Sequence, residues 1–181
     1  MAGSMTIHVR EQTDADADAI AGLMEATFGT EATQRSVWRL RQNPPVAGLC
    51  LVAETQGQIV GSLRFWFISL AGTRQLLLGP LAVRPDLQGK GVGQALVWQG
   101  LGIASQSRCS LCLVSGDKDY YPRFGFFPVR EGSIIWPGEV APHLLQVKEL
   151  KANGYAALPP GPIAILHDPD PNPTLLAEKA G

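Results

Sequence analysis

The sequence predicts a single α/β (α+β) domain built around a mixed β-sheet. The chain has 181 residues, which fits one domain with a substantial core. Predicted helices and strands are interleaved along it, so that helices can cover a central sheet. A hydrophobic content of 45% and a net charge of −1 are typical of a soluble globular protein.

Hydrophobic periodicity defines the first elements. Alternating residues predict strands, an apolar face at helical spacing with Asp in the first turn predicts a helix, and a turn around Gly57 predicts a hairpin. The expected elements are a strand at 6–10, helices at 14–28 and 31–42, and hairpin strands at 49–54 and 58–70. Asn43-Pro44-Pro45 should end the second helix, because proline cannot continue it.

The next segment is an apolar strand at 76–83 followed by a glycine-rich loop that opens into a helix at about 91–107. Gly89, Gly91 and Gly93 remove side chains at alternate positions, which lets backbone N–H groups approach an anion. The helix adds its unpaired N-terminal donors and the positive end of its dipole. This combination predicts a site for a pyrophosphate.

The spacing of the loop narrows the choice of ligand. It lacks the Gly-Lys-Ser/Thr ending of a P-loop, and its glycines do not follow the Gly-x-Gly-x-x-Gly order of a dinucleotide-binding turn. It does contain Gln-x-x-Gly-x-Gly, formed by Gln88, Gly91 and Gly93.

A second motif follows an apolar strand at 110–113. Its sequence, from residue 114, is Val-Ser-Gly-Asp-Lys-Asp-Tyr-Tyr-Pro-Arg-Phe-Gly-Phe. Asp117 is suited to cap a helix, and the segment also contains Tyr121 and the pair Gly125-Phe126. Residues 76–129, with both motifs, resemble the GNAT superfamily of N-acetyltransferases, most of all a bacterial subgroup of predicted N-acetyltransferases.

The resemblance implies a fold and an activity. The fold is a single GNAT-like domain, with a mixed, mostly antiparallel sheet flanked by helices and a splayed acetyl-CoA cleft. The activity is direct transfer of an acetyl group from acetyl-CoA to a primary amine of a small molecule or protein. The cofactor-binding positions that it implies are Leu81, Ala82, Val83, Gln88, Gly89, Lys90, Gly91, Val92, Gly93 and Gln94.

The same resemblance suggests which groups move protons. Tyr121 is the candidate general acid for the departing thiolate, since a phenol with a pKa near ~10 is protonated at neutral pH; Tyr120 is the neighbouring alternative. Many relatives carry a base on the strand before the loop, but residues 76–83 include no acid. Glu54 or Asp117 is therefore the candidate base, acting directly or through water, and Asp119 is a further alternative.

Two other functions fit the same motifs. The missing strand carboxylate is compatible with a non-catalytic coenzyme A-binding sensor module, and another acyl-CoA would differ only in the terminal pocket. Trp66, with Phe65 and Phe67, is either part of an acceptor pocket or alternating core packing.

The remaining expectations concern boundaries and setting. Residues 1–5 are interpreted as a disordered start or cloning remnant, 6–168 as the domain, with strands at 144–150 and 162–166, and 169–181 as a peripheral tail.

Cys109 and Cys112 begin an apolar strand and lack further ligands at zinc spacing, so we expect core thiols, no metal and a cytoplasmic protein. The sequence shows no basic stripe and no membrane span. We therefore expect no nucleic-acid or membrane partner, and a monomer or homodimer.

Overall fold

The structure, a computed structural model, describes residues 3–29, 36–138 and 144–175. In these ranges the α-helices are α1 (Ala17–Phe28) and α2 (Val92–Ala104). The strands are β1 (His8–Glu11), β2 (Cys50–Thr55), β3 (Gln58–Leu70), β4 (Thr73–Val83), β5 (Leu111–Ser115), β6 (Phe127–Pro128), β7 (Ile134–Ile135), β8 (Leu145–Glu149) and β9 (Ile163–His167). Short 3₁₀-helices lie at Asp14–Asp16, Ser36–Leu40, Pro85–Leu87 and Tyr121–Phe124.

The sheet is mixed and mostly antiparallel, as expected. Its strand order is β1-β2-β3-β4-β5-β8-β6, with β9 pairing with β3 and β7 pairing with β9. Within the described residues, the parallel pairs are β4 with β5 and β7 with β9. The predicted hairpin is β2 and β3, and the predicted apolar strand is β4, which begins at Thr73.

The first predicted helix is confirmed, and its start is fixed by local hydrogen bonds. The carboxylate of Asp16 accepts a hydrogen bond from the backbone N–H of Thr13 at 2.7 Å, so a 3₁₀ turn precedes α1. Ile20 and Leu23 are buried against the sheet, and α1 ends at Gly29, whose φ is +72°.

The described part of the second predicted helix is a 3₁₀-helix that ends at Leu40, before the predicted end at Gln42. Residues 30–35 lie outside the described residues, and the part that is described is the 3₁₀-helix Ser36–Leu40. Arg41 N–H still bonds to Trp38 O, but Asn43 precedes a proline, which disfavours helical backbone. The side-chain amide of Asn43 donates a hydrogen bond to the backbone oxygen of Asp168 at 2.6 Å, which ties the segment after this 3₁₀-helix to the segment after β9.

Two hydrophobic clusters lie on the two faces of the sheet, because side chains alternate along each strand. Phe65 and Phe67 pack in the cluster that contains α2, which we call the helical face. Trp66 and Ile68 pack in the other cluster, with Leu40 and Trp136, which we call the opposite face. The alternating-core interpretation of this strand is therefore confirmed.

The start of the predicted tail is held against the sheet. Arg74 donates to the carboxylate of buried Asp168 and to the carbonyls of Asp170 and Asn172. Ala47 forms a bridge with Thr174. Residues 176–181 lie outside the described residues.

Candidate active site

The central feature of the site is the divergence of β4 from β5. These parallel strands are paired at Leu76–Cys112 and Leu77–Leu113, and their pairing ends there. Beyond that point β4 continues against β3, while Val114 continues against β8. The two strands therefore separate at the centre of the sheet, and a cleft of about 790 Å³ opens between them.

A bulge marks the place where the strands separate. The register of β3 and β4 shifts so that Gly79 and Pro80 together lie opposite Arg64. Gly79 has a φ of +125°, a backbone conformation that residues with a side chain rarely adopt. Its carbonyl accepts a 2.6 Å hydrogen bond from the indole N–H of Trp66. Pro80 has no N–H to give to either neighbour.

The register also shows which β4 backbone groups face the gap. Arg84 N–H bonds to Val60 O at 2.8 Å, so residues 84 and 60 form a hydrogen-bonded pair. Because such pairs alternate in antiparallel strands, Ala82 also bonds to β3, through Ser62. The N–H and C=O groups of Leu81 and Val83 then point away from β3, toward the gap. Consistent with this, Val83 O accepts a bond from the Gln88 side chain at 3.3 Å.

The start of α2 borders the helical face of the cleft. The first bond of this helix runs from Ala95 N–H to Gly91 O, so the N–H groups of residues 92–94 precede the ladder. Gly89 and Gly91 have φ values of +77° and +90°, and nothing lies within 4 Å of a Cβ built on either. Gly93 differs, because a Cβ there would lie 2.6 Å from the Tyr120 hydroxyl. Two of the three glycines thus shape the loop, and the third allows close packing.

Both tyrosines line the cleft, with rings perpendicular to each other and 5.2 Å apart. Tyr121 is buried, and its ring edge packs so closely on Gly116 that a Cβ there would lie 2.3 Å from it. Burial raises the pKa of Tyr121 well above its ordinary value, and the charge of Arg41 partly opposes this shift. Burial also raises the pKa of Tyr120, against the opposing charge of Arg123. Both phenols are therefore protonated at neutral pH.

The two candidate bases lie in different places. Asp117 lines the cleft just after β5, and its carboxylate caps the following turn by accepting the N–H of Asp119 at 2.7 Å. Glu54 is outside the cleft lining, on β2, where Arg10 binds it at 2.7 Å and lowers its pKa. Glu54 therefore lies outside the cleft and is paired with Arg10 of β1. The sequence did not indicate this ion pair.

The opposite face of the cleft carries residues that the sequence motifs did not indicate. Val37, Trp38 and Arg41 come from the 3₁₀-helix and the residues after it, and Trp136 comes from the segment after β7. These residues belong to no motif with a defined spacing, so the sequence did not identify them as cleft residues. The concentration of tryptophan and arginine at 38–41 was the available signal.

Of the predicted site residues, nine line the cleft. They are Leu81, Val83, Gln88, Gly89, Gly91, Gly93, Gln94, Asp117 and Tyr121. Ala82, Lys90 and Val92 do not line it: Ala82 is fully buried with its backbone paired to β3, and Val92 packs in the helical-face core. Neither described helix is long and apolar enough to cross a membrane, and the described residues hold no group of three metal-ligating side chains.

Two parallel strands separate at the centre of the sheet, and the glycine loop and the start of α2 lie on one face of the gap between them. This arrangement agrees with the family to which the sequence is matched. The model of the acetyltransferase (GNAT) family matches residues 17–126, and the chain belongs to this family. Two Escherichia coli proteins are similar in sequence. The uncharacterized N-acetyltransferase YhbS is 26% identical over 155 residues, 83% of this chain and 93% of YhbS. The uncharacterized N-acetyltransferase YjhQ is 31% identical over 128 residues, 68% of this chain and 70% of YjhQ.

Solved structures show the same fold. The structure of E. coli YhbS in complex with CoA has a TM-score of 0.76 at 24% identity and covers 93% of each chain. A GNAT family acetyltransferase from Brucella melitensis, in complex with acetyl-CoA, has a TM-score of 0.66 at 27% identity. That match covers 88% of this chain and 95% of the Brucella chain.

Proposed function

We propose that this protein transfers an acetyl group from acetyl-CoA directly to a primary amine of a small molecule or protein. The observation that carries the proposal is the gap between β4 and β5. The cleft at this gap is lined by the start of α2 on one face, and by Tyr121 and Asp117, and it is open to solvent. Family membership and the CoA and acetyl-CoA complexes of the two structural neighbours support it.

The chain offers matching groups for each part of acetyl-CoA. The gap-facing backbone of Leu81 and Val83 suits the amides of the pantetheine arm, as strand addition does. The unpaired N–H groups at the start of α2 and the loop from Gln88 suit the pyrophosphate. Arg123, whose guanidinium lies over the Tyr120 ring at 4.6 Å, adds positive charge on this side of the cleft.

The amine attacks the carbonyl carbon of the thioester of acetyl-CoA, and side chains of the protein accept the amine proton and protonate the leaving thiolate. The neutral phenol of Tyr121 gives its proton to the departing thiolate, and burial keeps that proton in place beforehand. Asp117 is the one carboxylate among the described cleft residues, and it accepts the proton of the amine directly or through water. A gap-facing N–H of β4 stabilises the developing oxyanion.

The transfer is direct because no thiol is placed to carry the acetyl group. Cys50, Cys109 and Cys112 are buried, lie outside the cleft lining, and have pKa values raised by burial. A thiol with a raised pKa is a poor nucleophile at neutral pH. These reduced thiols also support a cytoplasmic setting, and the E. coli relatives support a bacterial one.

The test is calorimetric titration with acetyl-CoA, followed by mass spectrometry of an amine panel incubated with it. We expect binding and an amine product that is heavier by one acetyl group, with one free thiol released per product. Absence of binding up to millimolar acetyl-CoA would overturn the proposal. Binding without turnover on any amine would favour the sensor module, and faster turnover with succinyl-CoA would reassign the acyl donor.

A further inference from the structure

Gln146 links β8 to the segment that carries the candidate acid and the candidate base. Its side chain is fully buried, and it lies on β8 opposite Val114 of β5. The amide nitrogen donates hydrogen bonds to the backbone oxygens of Gly116 at 3.4 Å and of Asp117 at 3.2 Å. Gln146 therefore holds two successive residues that lie 30 and 29 positions earlier in the chain.

The two partners fix the orientation of this amide. Both are carbonyl oxygens, which only accept hydrogen bonds, so the NH₂ group and not the oxygen of the amide faces them. The amide oxygen of Gln146 is buried and has no hydrogen-bond partner among the described residues, which is a cost in stability. Leucine or methionine would fill this place without that cost. The bonds to the two carbonyls are therefore what glutamine adds here.

These carbonyls belong to the turn that places both proton-transfer groups. The backbone oxygen of Asp117 also accepts the N–H groups of Tyr120 at 3.2 Å and of Tyr121 at 3.3 Å, and so begins the short helix. Gly116 lies against the Tyr121 ring, where a Cβ would be 2.3 Å from it. The turn and both tyrosines line the cleft. A displacement of this turn would therefore move the acid and the base together.

We propose, on the basis of the function above, that Gln146 is a positioning residue of the transfer reaction. It lies outside the cleft lining, so it acts through the turn and not on the reacting atoms. Its two hydrogen bonds set where the Asp117 carboxylate and the Tyr121 phenol lie relative to the thioester. A small misplacement of reacting groups has a large effect on rate. The groups that suit the cofactor lie on β4 and at the start of α2, so the loss should appear in kcat and not in Kd.

The first variant is Gln146→Met, which keeps an unbranched side chain of similar length and removes both donors. We expect kcat to fall by on the order of tenfold to a hundredfold, while the Kd for acetyl-CoA changes by less than about threefold. Thiol release with an amine that the panel identifies measures kcat, and calorimetry measures Kd. In an Asp117→Asn background the same change should cost less, because one of the groups that Gln146 positions is already absent.

The matched control is Gln75→Met. Gln75 is also a buried glutamine that joins distant parts of the chain, since its side-chain oxygen accepts the N–H groups of Ser110 and Leu111 at 2.9 Å. These bonds lie at the start of β5, whereas the cleft opens at the other end of that strand. Gln75→Met should lower the melting temperature, as Gln146→Met does, and leave kcat unchanged.

Gln146→Glu provides a second variant of nearly the same shape. In its protonated form the carboxyl keeps one donor for the two carbonyls. Burial, these carbonyls and the nearby Asp117 carboxylate raise the pKa of a carboxyl at this position, and Lys148 on the same face of β8 opposes them. The kcat of this variant relative to the wild type should therefore fall between about pH 6 and 9, as the donor is lost. An equal ratio at both pH values would overturn the proposal.

The outcomes separate this inference from the proposed function. If folded Gln146→Met keeps the wild-type kcat, or if kcat falls equally in Gln75→Met, the inference is overturned and the acetyltransferase activity stands. If the wild type transfers an acetyl group to no amine of the panel, the proposed function is itself overturned, and the inference falls with it.

Discussion

The hydroxyl of Tyr120 occupies the space that a side chain on Gly93 would need. A Cβ built on Gly93 would lie 2.6 Å from the Tyr120 oxygen, and 3.6 and 3.7 Å from the side chains of Val83 and Leu81. The two sequence motifs, one in the loop and one after β5, therefore touch at this point. Gly93 is small because the tyrosine segment and β4 pack against the first turn of α2.

Gly93→Ala should weaken acetyl-CoA binding although alanine favours helix. The added methyl forces the Tyr120 hydroxyl out of its position, and overpacking of this kind costs about 1–3 kcal/mol. Tyr120→Phe removes the clashing oxygen, so the double variant should recover part of the loss in both Kd and melting temperature. The control is Gly102→Ala on the same helix, where nothing lies within 4 Å of the new Cβ. It should raise stability by about 1 kcal/mol without changing Kd. Additive effects of Gly93→Ala and Tyr120→Phe would contradict the contact.

Tyr121→Phe should lower kcat by about 10²–10⁴ while the Kd for acetyl-CoA stays nearly constant, because only the proton donor is lost. Burial raises the pKa of this phenol, so it keeps its proton as the pH rises. The wild-type rate should therefore rise with pH as the acceptor amine loses its proton. It should not fall near pH ~10, where an ordinary tyrosine ionises. Stopped-flow measurement of thiol release from about pH 6 to 10 tests both points. If Tyr121→Phe is as fast as the wild type, Tyr121 is not the proton donor, and Tyr120 becomes the candidate for that role.

Asp117→Asn should lower kcat by about 10²-fold or more at neutral pH, since it removes the proton acceptor. Asparagine keeps the oxygen that caps the Asp119 N–H, so the turn before the short helix should persist. The loss should shrink at higher pH, where more of the amine arrives neutral. Asp119→Asn is the matched control, because this neighbour is exposed and outside the cleft lining. Equal kcat values for the two variants would remove Asp117 from the base role.

Much of the fold follows from local patterns, and the site follows only in part. Strand alternation and the hairpin turn predicted β2 and β3, and the glycine loop predicted the α2 start, because these features depend on nearby residues. The presence of Arg41 in the cleft lining was not predicted, and the chain just after it is held by the Asn43 bond to Asp168, which is 125 positions away. The ion pair of Glu54 with Arg10 depends on the pairing of β1 with β2, which brings Arg10 beside it. Such long-range contacts have no periodic signal.

Acid should destabilise the protein through Asp16. Hydrogen bonds from Arg10 and from the backbone of Thr13 hold the pKa of this carboxyl well below its ordinary value. A pKa that is lower in the folded state stabilises the fold above the unfolded pKa of about 3.9, and that stabilisation is lost as the pH falls below it. Asp16→Asn should therefore lower the free energy of unfolding at pH 7 by about 1–3 kcal/mol. The difference from wild type should shrink as the pH falls below about 4.

Urea denaturation of both proteins at a series of pH values measures this difference. Asp18→Asn, an exposed position two residues further on, should change the free energy of unfolding by less than about 1 kcal/mol. A pH-independent difference between wild type and Asp16→Asn would mean that packing, and not the ion pair with Arg10, accounts for the effect.

Acetyl-CoA should protect alternate amides of β4 from hydrogen exchange. The register commits the Ala82 N–H to β3, while the N–H groups of Leu81 and Val83 point into the gap. In the free protein we therefore expect slow exchange at Ala82 and faster exchange at its two neighbours. Saturating acetyl-CoA should slow Leu81 and Val83 and leave Ala82 nearly unchanged, since only the gap-facing groups gain partners. Residue-resolved exchange by NMR, with desulfo-CoA and adenosine diphosphate as comparison ligands, separates the contribution of the pantetheine arm from that of the pyrophosphate. Equal protection by adenosine diphosphate would contradict strand addition, because that ligand has no amides to pair with β4.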